Sequence, residues 1–241
     1  MIRYAAALIA LALPGVAVGQ AYRCSVPAEG IGRLRADLPS DDQPRRLLPI
    51  GGYTLAITWA PQYCRDHDAD ASARFQCGNG NGNGNSFGFT LHGLWPDGLG
   101  KDWPQYCRAT ALLPQPLVRR NLCSTPWAQL QQHEWAKHGT CMPGYRPADY
   151  FRRSTGLYSR LRYPDMDALS RSAQTAGRLA AAMATANPGL RADMMRITAN
   201  RQGWLDEIWI CLDRRFRYAR CPAHQGGLAA GAAISIWRGS R

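Results

Sequence analysis

Lysine is almost missing from this chain. Lys101 and Lys137 are the only two, although Lys and Arg together number 29 against 17 Asp and Glu. Nearly all the positive charge is therefore arginine, a bias that fits genome composition and makes a lysine inside a motif less easily accidental. No two cysteines stand in a C-x-x-C pair, which excludes a zinc ribbon and a thioredoxin-like redox site. No N-x-S/T acceptor occurs, since Asn85 is followed by Ser86-Phe87, and with the arginine bias this fits a bacterial source. Beyond the first residues no apolar run approaches the roughly 20 residues that cross a bilayer.

The first residues have the composition of an export signal. Arg3 supplies a positive n-region, Tyr4 to Leu13 is a short apolar h-region, and small residues from Ala17 to Ala21 allow cleavage after Gly19 or after Ala21. An uncleaved anchor fits less well, because Pro14 and Gly15 interrupt the run. Residues 1–19 are thus expected to be a signal peptide and 22–241 a single soluble domain, secreted or periplasmic. Eight cysteines (Cys24, Cys64, Cys77, Cys107, Cys123, Cys141, Cys211, Cys221) make an even count that favours disulfides in an oxidising compartment. The net charge of +12 becomes +11 once Arg3 is removed with the leader (12 − 1). Such a surplus suits a polyanionic partner, because cationic surfaces release counterions from phosphates.

Residues 24–50 mix Pro, Gly, Arg and Asp without periodicity and read as an irregular arm. Tyr53–Trp59 alternates as a strand, and Phe87–Leu91 reads as a second one, ending at a His-Gly-Leu-Trp-Pro segment. The Gly-Asn run over 78–85 is low in complexity, and no strand leads into it as a phosphate cradle would need. Pro126–His138 reads as a helix with Gly139 at the C′ position, followed by helices over Pro147–Leu161 and Asp165–Thr185. Met194–Ala199 and Leu205–Leu212 read as strands, and the tail after Gly226 is ambiguous. Helices and strands without regular βαβ alternation point to the α+β class.

Two segments concentrate the chemistry: Phe89-Thr90-Leu91-His92-Gly93-Leu94-Trp95-Pro96-Asp97 and His133-Glu134-Trp135-Ala136-Lys137-His138-Gly139-Thr140-Cys141. At about 100° per helical residue, His133, Lys137, Glu134 and His138 fall within about 140° of one another, while Trp135 and Ala136 turn towards a core. Four ionisable groups on one face are costly if merely buried, so a site is the better reading. His133-Glu134 begins the H-E-x-x-H pattern of zinc proteases. The second histidine comes one residue too late for chelation from one helix, however, and a lysine stands between the two. No metal site and no cofactor are expected. Two histidines on separate elements suit phosphoryl transfer without a metal: one neutral imidazole takes a 2′-hydroxyl proton and one imidazolium protonates the leaving 5′-oxygen. Lys137 can neutralise charge on the phosphorane oxygens, and Glu134 is placed to orient and polarise His138, raising its pKa.

Both segments resemble the motifs of the ribonuclease T2 family, and the likeness runs from about Tyr53 to Cys141, with an echo at Glu207–Asp213 and Cys221-Pro222. The resemblance implies an antiparallel sheet flanked by helices and cleavage of single-stranded RNA through a 2′,3′-cyclic phosphate, with low base specificity. It implies His92, Glu134 and His138 as catalytic residues, with His138 the base and His92 the acid of the first step. Lys137 and His133 then contact the phosphate or transition state, and Trp95, Asp97 and Trp103 bind the base. It further implies disulfides Cys64–Cys77 and Cys211–Cys221, with Cys107–Cys141 tying the first motif's loop to the second motif. Cys24–Cys123 is left over. His67 and His224 lie outside both motifs and read as surface residues.

A catalytically dead RNA-binding protein on the same scaffold would have lost a histidine, and both are present. A DNase is disfavoured, since without metal DNA lacks an internal nucleophile. A monomer acting on RNA, with no membrane and no obligate protein partner, is the expectation.

Overall fold

Alternating β-formers place Gly52–Trp59 (β2) at the centre of a four-stranded antiparallel sheet. Its neighbours are Phe89–Asp97 (β4) at one edge and Leu205–Leu212 (β7), and Met195–Ala199 (β6) closes the other edge. The computed structural model describes residues 20–28, 31–67, 70–78 and 85–239. The expected signal peptide and most of the Gly-Asn run therefore lie outside the described residues.

The pleat divides this sheet into two unlike faces. Tyr53, Leu55, Ile57 and Trp59 of β2 pair with Leu212, Ile210 and Ile208 of β7 and with Leu94, Leu91 and Phe89 of β4. All are buried in one hydrophobic core. The helices Pro147–Tyr158 (α5) and Ala176–Ala186 (α7) close this face with Tyr150, Phe151, Leu179 and Met183. The opposite face carries Thr54, Ala56 and Thr58 with Glu207, Trp209 and Cys211, and it is the polar one.

An exposed edge strand invites pairing with other chains. The outer edge of β4 is occupied instead: Leu91 N–H donates to the Ser124 carbonyl and Leu91 C=O accepts from Thr125 Oγ1. The buried Tyr150 hydroxyl accepts from Leu94 N–H and donates to Leu94 C=O. Helix Ala128–Lys137 (α4) lies beside the same strand.

Shorter elements complete the α+β arrangement: Ala21–Arg23 (β1) pairs with Ser86–Phe87 (β3). Ala60–Asp66 (α1), Arg74–Cys77 (α2) and Gln115–Asn121 (α3) are helices for which the sequence carries little periodic signal. The helix expected over Asp165–Thr185 is two. Met166–Leu169 (α6) is capped by Asp165, and α7 starts afresh with Thr175 accepting from Arg178 N–H. Between them Gln174–Thr175 (β5) pairs with Ala233–Ile234 (β8), so a long-range pairing with the tail overrides local helix propensity. Residues 24–28 and 31–50 are largely irregular but anchored, with Leu34 in the core and Arg46 bridged to Gln105. Four disulfides join Cys24 to Cys123, Cys64 to Cys77, Cys107 to Cys141 and Cys211 to Cys221.

Candidate active site

A one-residue bulge creates the site face of β4. Ala56 pairs with Gly93 and Ile57 pairs with Leu91, leaving His92 as the extra residue. Without that bulge, continued alternation from Asp97, Trp95 and Gly93 would put Leu91 on the polar face and His92 in the core. With it, Leu91 rejoins Leu94 inside, and His92 stands with Trp95 and Asp97 outside. The strand thus runs through the whole first motif instead of stopping at Leu91.

His92 reaches across the sheet. Its Nδ1 lies 2.5 Å from Glu207 Oε1, and its Nε2 lies 3.5 Å from Glu134 Oε1. Thr58 Oγ1 and Trp209 Nε1 also donate to the Glu207 carboxylate, at 2.8 and 2.7 Å.

Helix α4 delivers Glu134 over Gly93. A Cβ at Gly93 would sit 1.7 Å from Glu134 Oε2, so glycine is what lets the carboxylate approach the strand. Glu134 Oε2 accepts from Trp95 Nε1 at 2.8 Å, and Glu134 is 2% exposed. The expectation that Glu134 polarises His138 is corrected here: its carboxylate turns to His92 and Trp95. Gly139 likewise is no left-handed cap. It opens the 3-10 turn Gly139–Cys141, and a Cβ there would meet the Trp135 ring at 2.3 Å.

The other three groups of the second motif separate. His133 Nδ1 meets Asp37 Oδ2 at 2.9 Å, and Tyr106 donates to the other Asp37 oxygen at 2.7 Å. Tyr106 has φ of 51°, an unusual conformation for a bulky residue, and its N–H caps the Lys137 carbonyl. Lys137 is half-buried, and His138, 5% exposed at the end of α4, has a buried Nδ1 with no hydrogen-bond partner among the described residues. Trp95 packs beside both histidines of interest, 5.1 Å from the His92 ring and 5.6 Å from the His138 ring.

Electrostatics set these two rings apart. Burial alone would lower the pKa of His92, but Glu207, by charge and hydrogen bond, together with Glu134 and Asp206 raises it to about 9. Burial lowers His138 well below the ordinary imidazole value, and Lys137, His133 and His92 push it the same way. Glu134 therefore does not raise His138. Burial raises the pKa of Glu134 itself, opposed by His92, His133, Trp95 and Lys137. Burial also lowers Lys137, which Glu134 and Asp37 oppose.

Beside this group lies a cavity of about 360 Å³, lined by Trp95, Asp97, Trp103, Lys137 and His138 among others. Asp97 accepts from Thr54 Oγ1 at 2.8 Å, and burial raises its pKa to about 6. Trp103 is 41% exposed, with the Arg46 guanidinium 4.5 Å over its ring. His224 is exposed, as expected, yet it lines this cavity near Asp97. His67 stacks on Tyr63, away from it. Among the described residues no cluster of three or more His, Cys, Asp and Glu could hold a metal ion.

Sequence reasoning meets Glu207 and Trp209 only within the family echo, with no role at the site, and it does not single out Asp37 or Tyr106. Glu207 had a signal, since a carboxylate within a largely apolar strand needs a partner. Asp37 had none, as it lies 96 positions from His133 in an aperiodic arm.

The sequence pattern of the ribonuclease T2 family matches residues 50–221. A probable ribonuclease of Haemophilus influenzae is 31% identical over 183 residues, covering 73% of this chain and 62% of that protein. The chain therefore spans less than two thirds of that relative's length. A ribonuclease of Aeromonas hydrophila is 30% identical over 171 residues, covering 67% of this chain and 71% of the relative. Among solved structures, trichomaglin, described as a novel S-like ribonuclease, matches with a TM-score of 0.59 at 18% identity, covering 78% of this chain and 97% of its own. RNase NT, solved with 5′-AMP, gives 0.58 at 18% identity, covering 78% and 98%. At such identities the structural likeness establishes a shared fold.

Proposed function

This chain belongs to the ribonuclease T2 family, and we propose that it is an exported endoribonuclease that cleaves single-stranded RNA through 2′,3′-cyclic phosphates. The observation that carries this reading is a pair of imidazoles beside one tryptophan, one held charged and the other neutral. Transphosphorylation needs that pair at the same pH.

In the first step His138, neutral, takes the 2′-hydroxyl proton as the 2′-oxygen bonds to phosphorus. His92, charged, gives its Nε2 proton to the 5′-oxygen as the phosphorus–oxygen bond breaks. Lys137, beside His138 at the cavity wall, offsets the charge gathering on the non-bridging oxygens. His133, oriented by Asp37, offers its remaining ring nitrogen to phosphate. Glu134 fixes Trp95 and adds negative charge near His92. In the second step the roles reverse and water opens the cyclic ester.

The cavity is the base site. Trp95 and Trp103 offer ring faces, which stack on any base for roughly 1–3 kcal/mol, and this supports low specificity. Asp97 offers one hydrogen-bonding edge. Four disulfides fit a chain that matures in an oxidising compartment, secreted or periplasmic.

The test is incubation with RNA and with DNA in excess EDTA, followed by analysis of product ends. RNA should be cut to 2′,3′-cyclic and 3′-phosphate ends while DNA survives. Products with 5′-phosphates, or activity lost to the chelator, would overturn the mechanism.

A further inference from the structure

Glu207 belongs to neither motif, yet it is the residue that His92 touches most closely. It lies on β7, two strands from β4, with β2 between them. Two strand spacings make roughly 9.5 Å, a gap that two side chains can span only if the intervening residue is small. Ala56, which pairs with both Gly93 and Trp209, meets that need.

The carboxylate is fully committed. Oε1 accepts from Thr58 Oγ1 and from His92, and Oε2 accepts from Trp209 Nε1. The Glu207 N–H is held by Thr198 Oγ1 at 3.0 Å. Two of the three donors to the carboxylate are neutral, so the cation that balances this buried charge is His92. A carboxylate only 9% exposed costs stability unless paired, which makes a purely structural purpose a poor explanation. Donation of Nδ1–H to Glu207 also selects the ring orientation in which Nε2 carries the transferable proton. Glu134 Oε1, 3.5 Å from Nε2, is too distant to hold that proton firmly.

We infer that Glu207 is the positioning residue of His92, fixing its ring with Nε2 towards the leaving oxygen and keeping it protonated until that oxygen departs. This rests on the reading of His92 as the acid. In the step concerned, the 2′-oxygen–phosphorus bond forms, the phosphorus–5′-oxygen bond breaks, and the His92 proton ends on the 5′-hydroxyl. The proton from the 2′-hydroxyl ends on His138, so the enzyme's proton count is unchanged. Glu207 from β7 and Glu134 from α4 approach the His92 ring directly, Asp206 of β7 acts on it through its charge, and His138 packs beside the same tryptophan, Trp95. Loss of Glu207 leaves Glu134 and Asp206 in place, so its effect on the ring is partial.

The experiment compares two substrates on one enzyme preparation: a dinucleoside monophosphate, whose 5′-oxygen needs a proton, and a nucleoside 3′-(4-nitrophenyl phosphate), whose phenolate leaves without one. For Glu207→Gln, kcat/KM on the dinucleotide should fall at least about tenfold, as for other groups that orient a catalytic imidazole, while the aryl ester changes less than about threefold. The ratio cancels any unfolded fraction. The basic limb of the dinucleotide profile should move from near pH 9 towards 6.5. Glu207→Asp should restore part of the rate, and Thr58→Val, which removes one donor to Oε1, should act in the same direction more weakly. Equal losses on both substrates with an unmoved basic limb would reduce Glu207 to a structural role and overturn the inference. Should His92→Ala leave dinucleotide cleavage intact, the acid reading itself would fall.

Discussion

His92 and His138 flank one tryptophan at similar ring distances, and burial acts on both in the same direction. What differs is who faces them. Glu207 and Glu134 approach His92 and Asp206 adds its charge, whereas His138 meets Lys137, His133 and the charge on His92 itself. Its Nδ1, buried without a hydrogen-bond partner among the described residues, has no acceptor to stabilise a proton there. Desolvation acting alone would have made both rings neutral and left the reaction without an acid. The difference teaches that role assignment in this site comes from carboxylates arriving on β7 and α4, more than from depth. The charged ring also reinforces the neutral state of the other, because a cation at His92 disfavours one at His138.

Removing either imidazole should have the largest effect. His92→Ala and His138→Ala should each lose at least about a hundredfold in dinucleotide turnover, the low end for general acid–base catalysis. The aryl ester should separate them: His92→Ala recovers most of its rate on that substrate, and His138→Ala recovers none. Identical responses would erase the distinction between acid and base.

Gly93→Ala should come next. The added methyl would occupy the space of Glu134 Oε2. The carboxylate must retreat from Trp95 and His92, so turnover should fall about tenfold, and overpacking should lower stability by about 1–3 kcal/mol. Thermal melts beside kinetics would show both. A variant with unchanged activity and melting would mean the Glu134 contact is dispensable.

Asp37→Asn should be the mildest. His133 loses its carboxylate at 2.9 Å, so KM for RNA should rise a few-fold, roughly the cost of one exposed charge-assisted contact, with kcat nearly constant. A fall in kcat at constant KM would give His133 a part in the chemistry.

Much of this arrangement is legible in the sequence, and the remainder fails for identifiable reasons. Period-two alternation marks β2 and β7, and the helical face of His133, Glu134 and Lys137 marks α4. Pairing is what local pattern misses. His92 joins the site face only through a one-residue register change against β2, which no periodicity within β4 announces. Four-residue spacing on a helix points Glu134 at His138, yet the space left by the missing Cβ of Gly93 lets the carboxylate sit against the strand instead. The break between α6 and α7 has the same origin, in a tail strand about sixty residues away in sequence. Glu207 and Asp37 reach the site through contacts 115 and 96 positions long.

The opposed charge states can be read directly by NMR titration of ring-labelled histidine, with signals assigned through His92→Gln and His138→Gln. His92 should stay protonated through neutral pH and titrate near 9, because its carboxylates favour the cation. His138 should remain neutral down to pH values well below 6.5. Between those limits the free enzyme should hold one acid and one base, and kcat/KM should be flat across that window. Two signals titrating together near 6.5, or His138 titrating above His92, would contradict the assignment of acid and base.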